Sequence, residues 1–492
     1  MNNRWIKISP KDNVIVALED LKAGDEVSGI ILKTDIPAGH KASIQNIASG
    51  EKVIKYGFPI GKSSLNIEAG MHVHTHNLKT LLDKELEYNY SPSKPEKLSD
   101  SLKGKTFMGY HRTDGRVGTR NEIWIINTVG CVNKTAERLA RLSNEKFSGR
   151  CDGIFTFTHP YGCSQLGEDH QTTSGILADL VKHPNAGGVL VLGLGCENNN
   201  IPLFKKLLVS WDEERVKFLT AQEVDDEIEE GLNIIEEIVK TVEEDKRELC
   251  PLSSLVVGMK CGGSDGLSGI TANPLVGCFS DLLVAAGGTS ILTEVPEMFG
   301  AETILMNRCE SKELFEKTVS LINNFKEYFI SHNQVVYENP SPGNKDGGIT
   351  SLEDKSLGCI QKGGRAPVSE VLQYGERTRS SGLTLLSGPG NDIVSTTALT
   401  AAGSNIILFT TGRGTPLGAP VPTVKISTNS RLAKRKSNWI DFDAGVLVDG
   451  RNMDEVCLAF ADFIISIASG KQAMNEKNDY REIAIFKDGV TL

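Results

Sequence analysis

The strongest constraint on the fold is a pattern that recurs along the chain: an apolar run, a loop with glycine and cysteine, and a segment with helical spacing. It reads EIWIINTVGCV at 122–132, GGVLVLGLGCENN at 187–199 and SSLVVGMKCGGSDG at 253–266. Apolar runs without alternation are typical of strands buried on both faces, and strand–helix alternation predicts parallel sheets flanked by helices. The larger part of the chain is therefore predicted to be α/β with mainly parallel sheets. Its functional groups are expected at the carboxyl ends of the strands.

Turn signals divide the chain further. Short alternating runs between Gly, Pro and Asp turns predict a small β-rich N-terminal domain at residues 1–90. The segment SPSKPEKLSDSLKGK, rich in Pro, Ser and Lys, predicts a linker at 91–105. The α/β body then falls into two predicted domains, 106–250 and 251–492.

Charge and hydropathy exclude several classes of partner. A net charge of −10 and a pI near 5.6 argue against general nucleic-acid or anionic-membrane binding. The start MNNRWIKISPKDN is polar, and no stretch stays apolar for the ~18 residues of a membrane span. Ten scattered cysteines are expected to be reduced thiols in such a chain. These features predict a cytoplasmic protein that holds any anionic substrate through a local cationic cluster.

The histidines are concentrated near the N-terminus. Of nine in the chain, His72, His74 and His76 fall within GMHVHTHNL. If this stretch is extended, all three imidazoles point to one face, which would suit a metal, an anionic ligand or merely a polar strand face. Because the stretch lies between a small β unit and an α/β body, His74 and His76 are predicted to contribute metal ligands to an inter-domain site, with His72 the most dispensable.

Cysteines occupy the loops that follow the apolar runs. Cys163, Cys196 and Cys261 each lie in a glycine-containing loop, and thiols from three strand-end loops can converge on a soft metal. The alternative is that they are small buried side chains at tight turns. A four-cysteine zinc site is improbable because the sequence contains no CxxC pair. The run GLGCEN lacks the third glycine of a dinucleotide-binding loop.

Arginines are grouped ahead of the first buried strand. The stretch GYHRTDGRVGTRN carries Arg112, Arg116 and Arg120, and TTGRGTPLGAP carries Arg413 in a similar glycine-rich loop. Guanidinium groups bind carboxylates bidentately, so these four residues are predicted to hold an acidic substrate. Ordinary surface salt bridges are the alternative.

The same segments, taken together, resemble the altronate dehydratase family, which groups altronate and galactarate dehydratases with sulfolactate sulfo-lyase. The resemblance covers nearly the whole chain. The N-terminal unit ending in VHTHNLKT resembles an SAF-type β-clip domain. Five further segments resemble the catalytic part of the family: GYHRTDGRVGTRNEIWIINTVGCVNKTA, HPYGCSQLGEDH, GLGCENN, KCGGSDGLSGITANP and TTGRGTPLGAPVPTVKISTN.

The resemblance implies a metal-dependent hydro-lyase of hexuronate catabolism. The implied reaction converts D-altronate to 2-dehydro-3-deoxy-D-gluconate and water, with Fe2+ or Mn2+ as the cofactor. Galactarate dehydration and sulfolactate cleavage are alternatives within the family, and a non-catalytic sugar-acid binding protein is the alternative of another class. The expected partner is a small sugar acid, with a second copy of the chain as a further candidate.

Residue type, rather than resemblance, suggests the catalytic groups. Removing the proton beside a carboxylate requires a base, and departure of the neighbouring hydroxyl requires an acid or a metal. His170, Lys260 and Asp265 are the candidates for this proton transfer, since all three lie in or beside strand-end loops.

Overall fold

The computed structural model describes residues 4–82, 87–336 and 339–489. Over these ranges a small β-rich unit precedes a body built on two parallel sheets flanked by helices. The predicted α/β class, with mainly parallel sheets and a small leading β domain, is confirmed. Within the described ranges, no helix combines the length and the apolar character needed to cross a membrane.

The N-terminal unit consists of short strands in three antiparallel sheets, with the orders β1-β2-β5-β8, β6-β7-β9 and β3-β4. Ile15, Ala17, Leu21, Ile36 and Ala42 form its own small core. The strands are β1 Trp5–Ile6, β2 Val14–Ala17, β3 Glu26–Val27, β4 Ile30–Ile31, β5 Lys41–Ser43, β6 Lys52–Lys55, β7 Phe58–Ser63, β8 His72–Val73 and β9 Leu78–Lys79.

The histidine-rich stretch is extended only at its start. Strand β8 ends at Val73, and the chain then turns. The Asn77 side chain accepts a hydrogen bond from the backbone N–H of His74 at 2.9 Å and donates to the carbonyl of His72 at 2.9 Å. These two side-chain hydrogen bonds compete with the backbone hydrogen bonds of strand pairing. The expectation of one extended run through His76 was therefore wrong beyond Val73.

The first and last strands of the middle unit, β10 and β16, pair antiparallel with each other. Between them, a four-stranded parallel sheet has the order β13-β12-β14-β15, with all six residues of β12 buried at its centre. The elements are β10 Thr106–His111, β11 Val117–Gly118, β12 Glu122–Asn127, α1 Asn133–Lys146, β13 Ile154–Thr156, α2 Gly167–Val181, β14 Ala186–Gly193, α3 Ile201–Leu208, β15 Val216–Thr220, α4 Glu227–Val242 and β16 Glu248–Pro251.

The C-terminal unit is a seven-stranded parallel sheet with the order β19-β20-β18-β17-β21-β22-β23. Helices pack on it, and β17 lies at its centre. The elements are β17 Val256–Cys261, α5 Ala272–Ala285, β18 Thr289–Leu292, α6 Glu302–Met306, α7 Lys312–Ser331, α8 Pro342–Asp346, α9 Leu352–Cys359, β19 Val368–Leu372, β20 Gly382–Leu386, α10 Asp392–Ala401, β21 Ile406–Thr411, β22 Thr423–Ser427, α11 Ser430–Arg435, β23 Phe442–Asp443, α12 Met453–Ala468 and α13 Met474–Lys477.

The two parallel sheets share a hydrophobic core. Trp124 and Ile126 of the four-stranded sheet belong to the same buried cluster as Leu399 and Ile407 of the C-terminal unit. Burial of this apolar surface, at roughly 25 cal/mol per Å2, holds the two units together as one body.

The segment at 91–105, predicted to be a linker, runs along the C-terminal unit. The backbone N–H of Ser93 donates to the carbonyl of Asn307 at 2.8 Å, and Glu96 pairs with Arg365 at 2.9 Å. Residues 83–86, near the end of the predicted first domain, lie outside the described residues. The three predicted boundaries, after residues 90, 105 and 250, stay predictions.

Candidate functional site

A short buried helix, α9, connects the N-terminal unit to the large sheet. All eight of its residues are buried, although its first turn is charged. Ser351 caps the helix by accepting from the backbone N–H of Asp354. Asp354 faces the N-terminal unit, whereas Lys355 and Cys359 face the C-terminal unit. The polar contacts of α9 therefore link two clusters of potentially functional side chains.

Asp354 holds two lysines of the N-terminal unit at the interface. Its carboxylate oxygens lie 2.8 Å from Nζ of Lys41 and 2.9 Å from Nζ of Lys55, and all three side chains are buried. Lys41 also donates to the carbonyl of Gly348 at 2.7 Å. Burial lowers the pKa of Lys41 to about 8. Burial disfavours the charge on Asp354, but the two ammonium groups outweigh this effect and lower its pKa.

On the other side of α9, two thiols meet one carboxylate. Cys261 ends β17, Cys359 ends α9, and Glu297 follows β18. The sulfurs lie 3.1 and 3.0 Å from Oε2 of Glu297, and 3.4 Å from each other. Among the described residues, this is the one group of three potential metal ligands whose donor atoms all lie within 4.8 Å of one another.

The polar atoms of this thiol–carboxylate group already have hydrogen-bond partners within the protein. Oε1 of Glu297 accepts from Lys355 at 2.8 Å, while Oε2 accepts from both thiols. The hydrogen bond to Cys261, together with burial, holds the pKa of Cys359 well above its usual value. All three ligands are buried. Two thiols and a carboxylate suit a soft or borderline metal, but catalysis requires an open coordination position, so the group fits a closed structural site better than a catalytic one.

Further buried charges surround these thiols. Lys260 pairs with Glu294, donates to the carbonyl of Gly390 at 3.1 Å, and lies 2.9 Å from Asp392. Lys362 pairs with the other oxygen of Glu294 at 2.9 Å. Burial opposes the charge on Lys260, yet Glu294 and then Asp392 outweigh it and raise its pKa. Lys260 is therefore a permanent cation whose donors are already paired.

Four imidazoles gather at the edge of the N-terminal unit. We call His40, His72, His74 and His76 the histidine cluster; the centroids of neighbouring rings lie 5.0 to 5.7 Å apart. Burial and neighbouring imidazoles lower the pKa of His72 to about 3. Burial likewise lowers the pKa values of His40 and His74. These three rings are neutral at physiological pH, the form that binds metals.

The hydrogen bonds of the cluster set its tautomers. Nε2 of His40 lies 3.2 Å from the carbonyl of Asp346, and Nε2 of His74 lies 2.9 Å from the carbonyl of Lys345. A carbonyl only accepts, so both Nε2 atoms carry the proton. Nδ1 of His40 is then the acceptor for Nε2–H of His72, at 3.0 Å. Imidazoles oriented by backbone carbonyls in this way are typical of metal ligands.

The loop around α8 joins this cluster to the large sheet. Asn344 donates to the carbonyl of Ser264 at 2.9 Å and accepts from Lys355 at 3.2 Å. Arg413, which is exposed, donates to the carbonyl of Gly343 at 2.8 Å. The histidine cluster and Arg413 therefore contact the same short segment, 341–348, and form an inter-domain site with both nitrogen ligands and a cation.

Of the other predicted proton-transfer groups, Asp265 borders segment 341–348 and His170 lies on the other sheet. Asp265 is half-buried and accepts from the hydroxyls of Ser268 at 3.0 Å and Thr428 at 2.9 Å, while desolvation raises its pKa. His170 lies on α2 of the other sheet, where Nδ1 is 3.1 Å from Oγ of Ser174. The contacts of Asp265 fix the β17–α5 loop beneath segment 341–348.

The predicted thiol ligands do not share one sheet. Cys163 and Cys196 are exposed at the carboxyl edge of the four-stranded sheet, whereas Cys261 is buried at the end of β17 in the seven-stranded sheet. A third exposed thiol, Cys131, follows β12 at the same edge as Cys163 and Cys196. The sequence signal for Cys131 was the same Gly-Cys ending of an apolar run.

Three of the four predicted substrate arginines are held by internal partners. Arg112 pairs with Asp245 at 3.1 Å, Arg116 pairs with Asp114, and Arg120 forms a bidentate pair with Glu476. Arg112 and Arg116 also line a surface cavity of about 480 Å3 with residues that open β14 and β15. That cavity therefore lies at the amino edge of the four-stranded sheet, opposite Cys163.

Sequence reasoning missed several members of both clusters. Glu294 and Glu297 lie at the end of SILTEVPE, just after its apolar residues. This is the pattern that identified the cysteine loops, so the sequence could have predicted them. Cys359, Lys355 and the other charges of α9 had no such signal, because LEDKSLGC resembles a polar surface helix. His40 is an isolated histidine in AGHKAS and carries no local pattern.

Family models account for most of the chain. The D-galactarate/altronate dehydratase C-terminal domain matches residues 252–491. The second domain of D-galactarate dehydratase/altronate hydrolase matches 109–243, and the altronate/galactarate dehydratase SAF domain matches 3–81. The histidine cluster thus lies in the SAF match, and the thiol–carboxylate group lies in the C-terminal match.

Three curated relatives align over nearly their full lengths. The chain is 53% identical to altronate dehydratase of Escherichia coli K12 over 99% of this chain and 100% of the relative. It is also 53% identical to altronate dehydratase of Bacillus subtilis 168, over 99% of each chain. The L-threo-forming galactarate dehydratase of E. coli K12 is 34% identical, over 95% of this chain and 93% of the relative.

Proposed function

The chain belongs to the altronate/galactarate dehydratase family, and on that premise we propose that it removes water from D-altronate to give 2-dehydro-3-deoxy-D-gluconate. The observation that carries this choice is the full-length identity of 53% to two altronate dehydratases, against 34% to a galactarate dehydratase. The proposed enzyme is a hydro-lyase acting on a small sugar acid.

The reaction defines what the site must provide. The C2–H bond beside the carboxylate and the C3–O bond both break, a C2=C3 double bond forms, and the resulting enol tautomerises to the 2-keto acid. The site needs a proton acceptor at C2, a proton donor for the departing hydroxyl, and positive charge near the carboxylate. We place this chemistry at the inter-domain site between the histidine cluster and segment 341–348.

Neutral imidazoles supply the proton acceptor in this proposal. Burial lowers the pKa of His72, which is not a proposed metal ligand and donates Nε2–H to His40, so its ring is uncharged and Nδ1 is the nitrogen that can accept a proton. Lys260 is less suited to this step, because Glu294 and Asp392 hold it as a cation. We therefore assign proton transfer at C2 to the histidine cluster rather than to Lys260.

Arg413 is the proposed carboxylate ligand. It is exposed, and the structure shows one hydrogen bond from its guanidinium group, to Gly343 at the same segment that the histidines contact. Its other N–H donors can reach a substrate carboxylate in the bidentate arrangement that guanidinium groups favour. Arg112, Arg116 and Arg120 keep their internal partners in this proposal.

We propose that His74 and His76 hold the divalent metal, Fe2+ or Mn2+. The backbone carbonyl of Lys345 fixes the His74 ring, which is the arrangement expected of a metal-binding imidazole. When bound, such an ion supplies positive charge that stabilises the anion developing beside the carboxylate. The chain's own contribution is to orient the rings and, through Arg413, the substrate.

The proposed substrate is tested by 2-keto acid formation with purified, iron-supplied protein and a panel of altronate, galactarate, mannonate and sulfolactate. We expect kcat/KM for altronate to exceed the others by at least about ten-fold, because a site built to bind one hydroxyl pattern leaves polar groups unpaired with another. A preference for a different acid would overturn the substrate assignment. Release of no 2-keto acid from any of them would overturn the enzyme itself.

Variants in the same assay test the site. His74→Ala and His76→Ala are each expected to lower kcat/KM for altronate by about 100-fold, the effect of losing a ligand or a proton-transfer group. His332→Ala is the matched control, since His332 lies on the surface and pairs with Asp488. Wild-type rates and wild-type metal content in both His74 and His76 variants would show that the cluster is scaffold.

A further inference from the structure

The exposed cysteines of the chain lie at one edge of one sheet. Ten cysteines are described, and Cys131, Cys163 and Cys196 are the three whose side chains are exposed. They follow β12, β13 and β14, three adjacent strands of the parallel sheet. Free cysteine is among the most frequently buried residue types, so three exposed thiols at one strand edge call for an explanation beyond packing.

Hydrogen bonds join the three cysteine loops directly. The backbone N–H of Gly130 donates to the carbonyl of Tyr161 at 2.9 Å. The N–H of Ser164 donates to Oδ1 of Asn198 at 3.1 Å. The Asn199 side chain donates to the carbonyl of Thr128 at 3.1 Å, which closes the set. Each loop is therefore tied to the other two beside its cysteine.

Three helices begin at this edge. Helices α1, α2 and α3 begin at Asn133, Gly167 and Ile201, each within five residues after one of the cysteines. The N-terminus of a helix carries partial positive charge, which favours an anionic group bound nearby. Thiolates are the form in which cysteine binds metal ions.

Two buried polar groups at the same edge lack partners. Oδ1 of Asn127 and Nε2 of Gln165 have no hydrogen-bond partner, although their residues are only 1% and 6% exposed. Asn127 ends β12, and Gln165 lies two residues after Cys163. Buried polar atoms are nearly always paired, so an unpaired donor and acceptor beside three thiols indicate a group that occupies this edge.

We propose that Cys131, Cys163 and Cys196 together bind an iron centre through their thiolates, leaving one coordination position open to a small oxygen ligand. This site is separate from the histidine cluster, which lies in the N-terminal unit and does not depend on it. A centre with three protein ligands and one open position is typical of metals that bind a substrate or water rather than serve only a structural role.

At least two of the three sulfurs lie farther apart than a single tetrahedral ion would hold them. A tetrahedral ion with metal–sulfur bonds of about 2.3 Å brings its sulfurs to within about 4 Å of one another. Among the described residues, these three sulfurs do not form a group within 4.8 Å. An iron–sulfur cluster has several metal atoms and holds its thiolates farther apart. Both centres share iron–thiolate chemistry, and inorganic sulfide distinguishes them.

The test measures iron rather than turnover. The full chain is purified without oxygen, incubated with Fe2+ and dithiothreitol, with or without inorganic sulfide, and desalted before iron and acid-labile sulfide are measured. We expect wild-type protein to retain iron with a broad visible sulfur-to-iron absorption. Because the proposed histidine-bound ion would add iron of its own, the cysteine variants are made in a His74→Ala/His76→Ala background, where Cys131→Ser, Cys163→Ser and Cys196→Ser should each reduce retained iron by at least about ten-fold. Sulfide retained with the iron would identify a cluster, and iron retained without sulfide a single ion; both support the site.

A matched control and a second readout keep the result interpretable. Cys151→Ser should retain wild-type iron, because Cys151 is half-buried and precedes β13 at the opposite edge of the sheet. In wild-type protein, iron loading should slow alkylation of Cys131, Cys163 and Cys196 by at least about ten-fold, measured by peptide mass spectrometry. Equal iron in the His74→Ala/His76→Ala protein and in its triple serine variant, or no iron on the folded His74→Ala/His76→Ala protein, would overturn the proposal.

Discussion

The two parallel sheets have the same construction, yet their carboxyl edges differ. At the seven-stranded sheet, Lys260 and Cys261 end β17 and are buried beneath α9 and the N-terminal unit. At the four-stranded sheet, Cys163 and Cys196 end their strands in the open. We call these the closed edge and the open edge.

The difference shows that what covers an edge decides the state of its side chains. At the closed edge Lys41, Lys55, Lys260, Lys355 and Lys362 each pair with a carboxylate, because a buried charge without a partner costs several kcal/mol. At the open edge the loops approach through glycine backbone instead: a Cβ added at Gly162 would overlap the Thr128 carbonyl oxygen. The closed edge thus depends on charge pairing, and the open edge on close backbone contact.

The largest expected effect comes from a substitution at the closed edge. Asp354→Ala leaves Lys41 and Lys55 buried without their carboxylate, so we expect a loss of about 3–5 kcal/mol in the free energy of unfolding. Urea or thermal unfolding of the full chain measures the change. The N-terminal unit is expected to separate from the body first.

An exposed pair provides the control for this substitution. Glu243 also forms two hydrogen bonds with one cation, Arg150, but both side chains are about a third exposed. Glu243→Ala is therefore expected to leave the unfolding midpoint close to that of wild type. Equal unfolding midpoints for Asp354→Ala and Glu243→Ala would contradict the view that charge pairing secures the closed edge.

The sequence predicts the sheets and the positions of both edges, but not which edge is covered. Unalternated apolar runs indicate strands buried on both faces, and the loops after them carry the cysteines of both edges. The cover depends on α9, whose sequence LEDKSLGC has charges where a buried helix would have apolar residues. Its burial is possible only because Lys41 and Lys55, some three hundred residues earlier, neutralise Asp354.

The histidine cluster was partly predictable for a related reason. The grouping of His72, His74 and His76 is visible in the sequence, and their rings do gather. His40 joins them from another strand end through a tertiary contact that leaves no sequence pattern. The Asn77 turn was likewise missed, because alternation in HVHTH outweighed the signal of a single asparagine.

The next prediction disturbs the open edge. Gly162 has φ +97°, and a Cβ there would overlap the Thr128 carbonyl oxygen. Gly162→Ala should therefore lower the free energy of unfolding by about 2–4 kcal/mol, from left-handed strain plus the steric clash. Thermal unfolding measures it, and alkylation of Cys163 should become faster as the loop moves.

Gly149 is the matched control, because it has φ +79° but a Cβ added there would have no other atom within 4 Å. Gly149→Ala carries only the backbone strain, about 1–2 kcal/mol. If the two alanine variants unfold at the same midpoint, close backbone contact does not secure the open edge.

The smallest expected effect is a change in how stability depends on pH. Asp441 is half-buried just before β23; its carboxyl accepts from the backbone N–H groups of Lys425 and Met474, and desolvation raises its pKa to about 6. The native state then binds a proton more tightly than the unfolded chain, whose carboxyl has a pKa near 3.8. Its contribution to stability is complete below pH 3.8 and is lost as the pH rises through 6. Between pH 5 and pH 7 this amounts to about 1 kcal/mol. Asp441→Asn removes the titration, so the difference in stability between the two pH values should shift by that amount relative to wild type in urea unfolding. An unchanged difference would show that burial does not raise the pKa of Asp441.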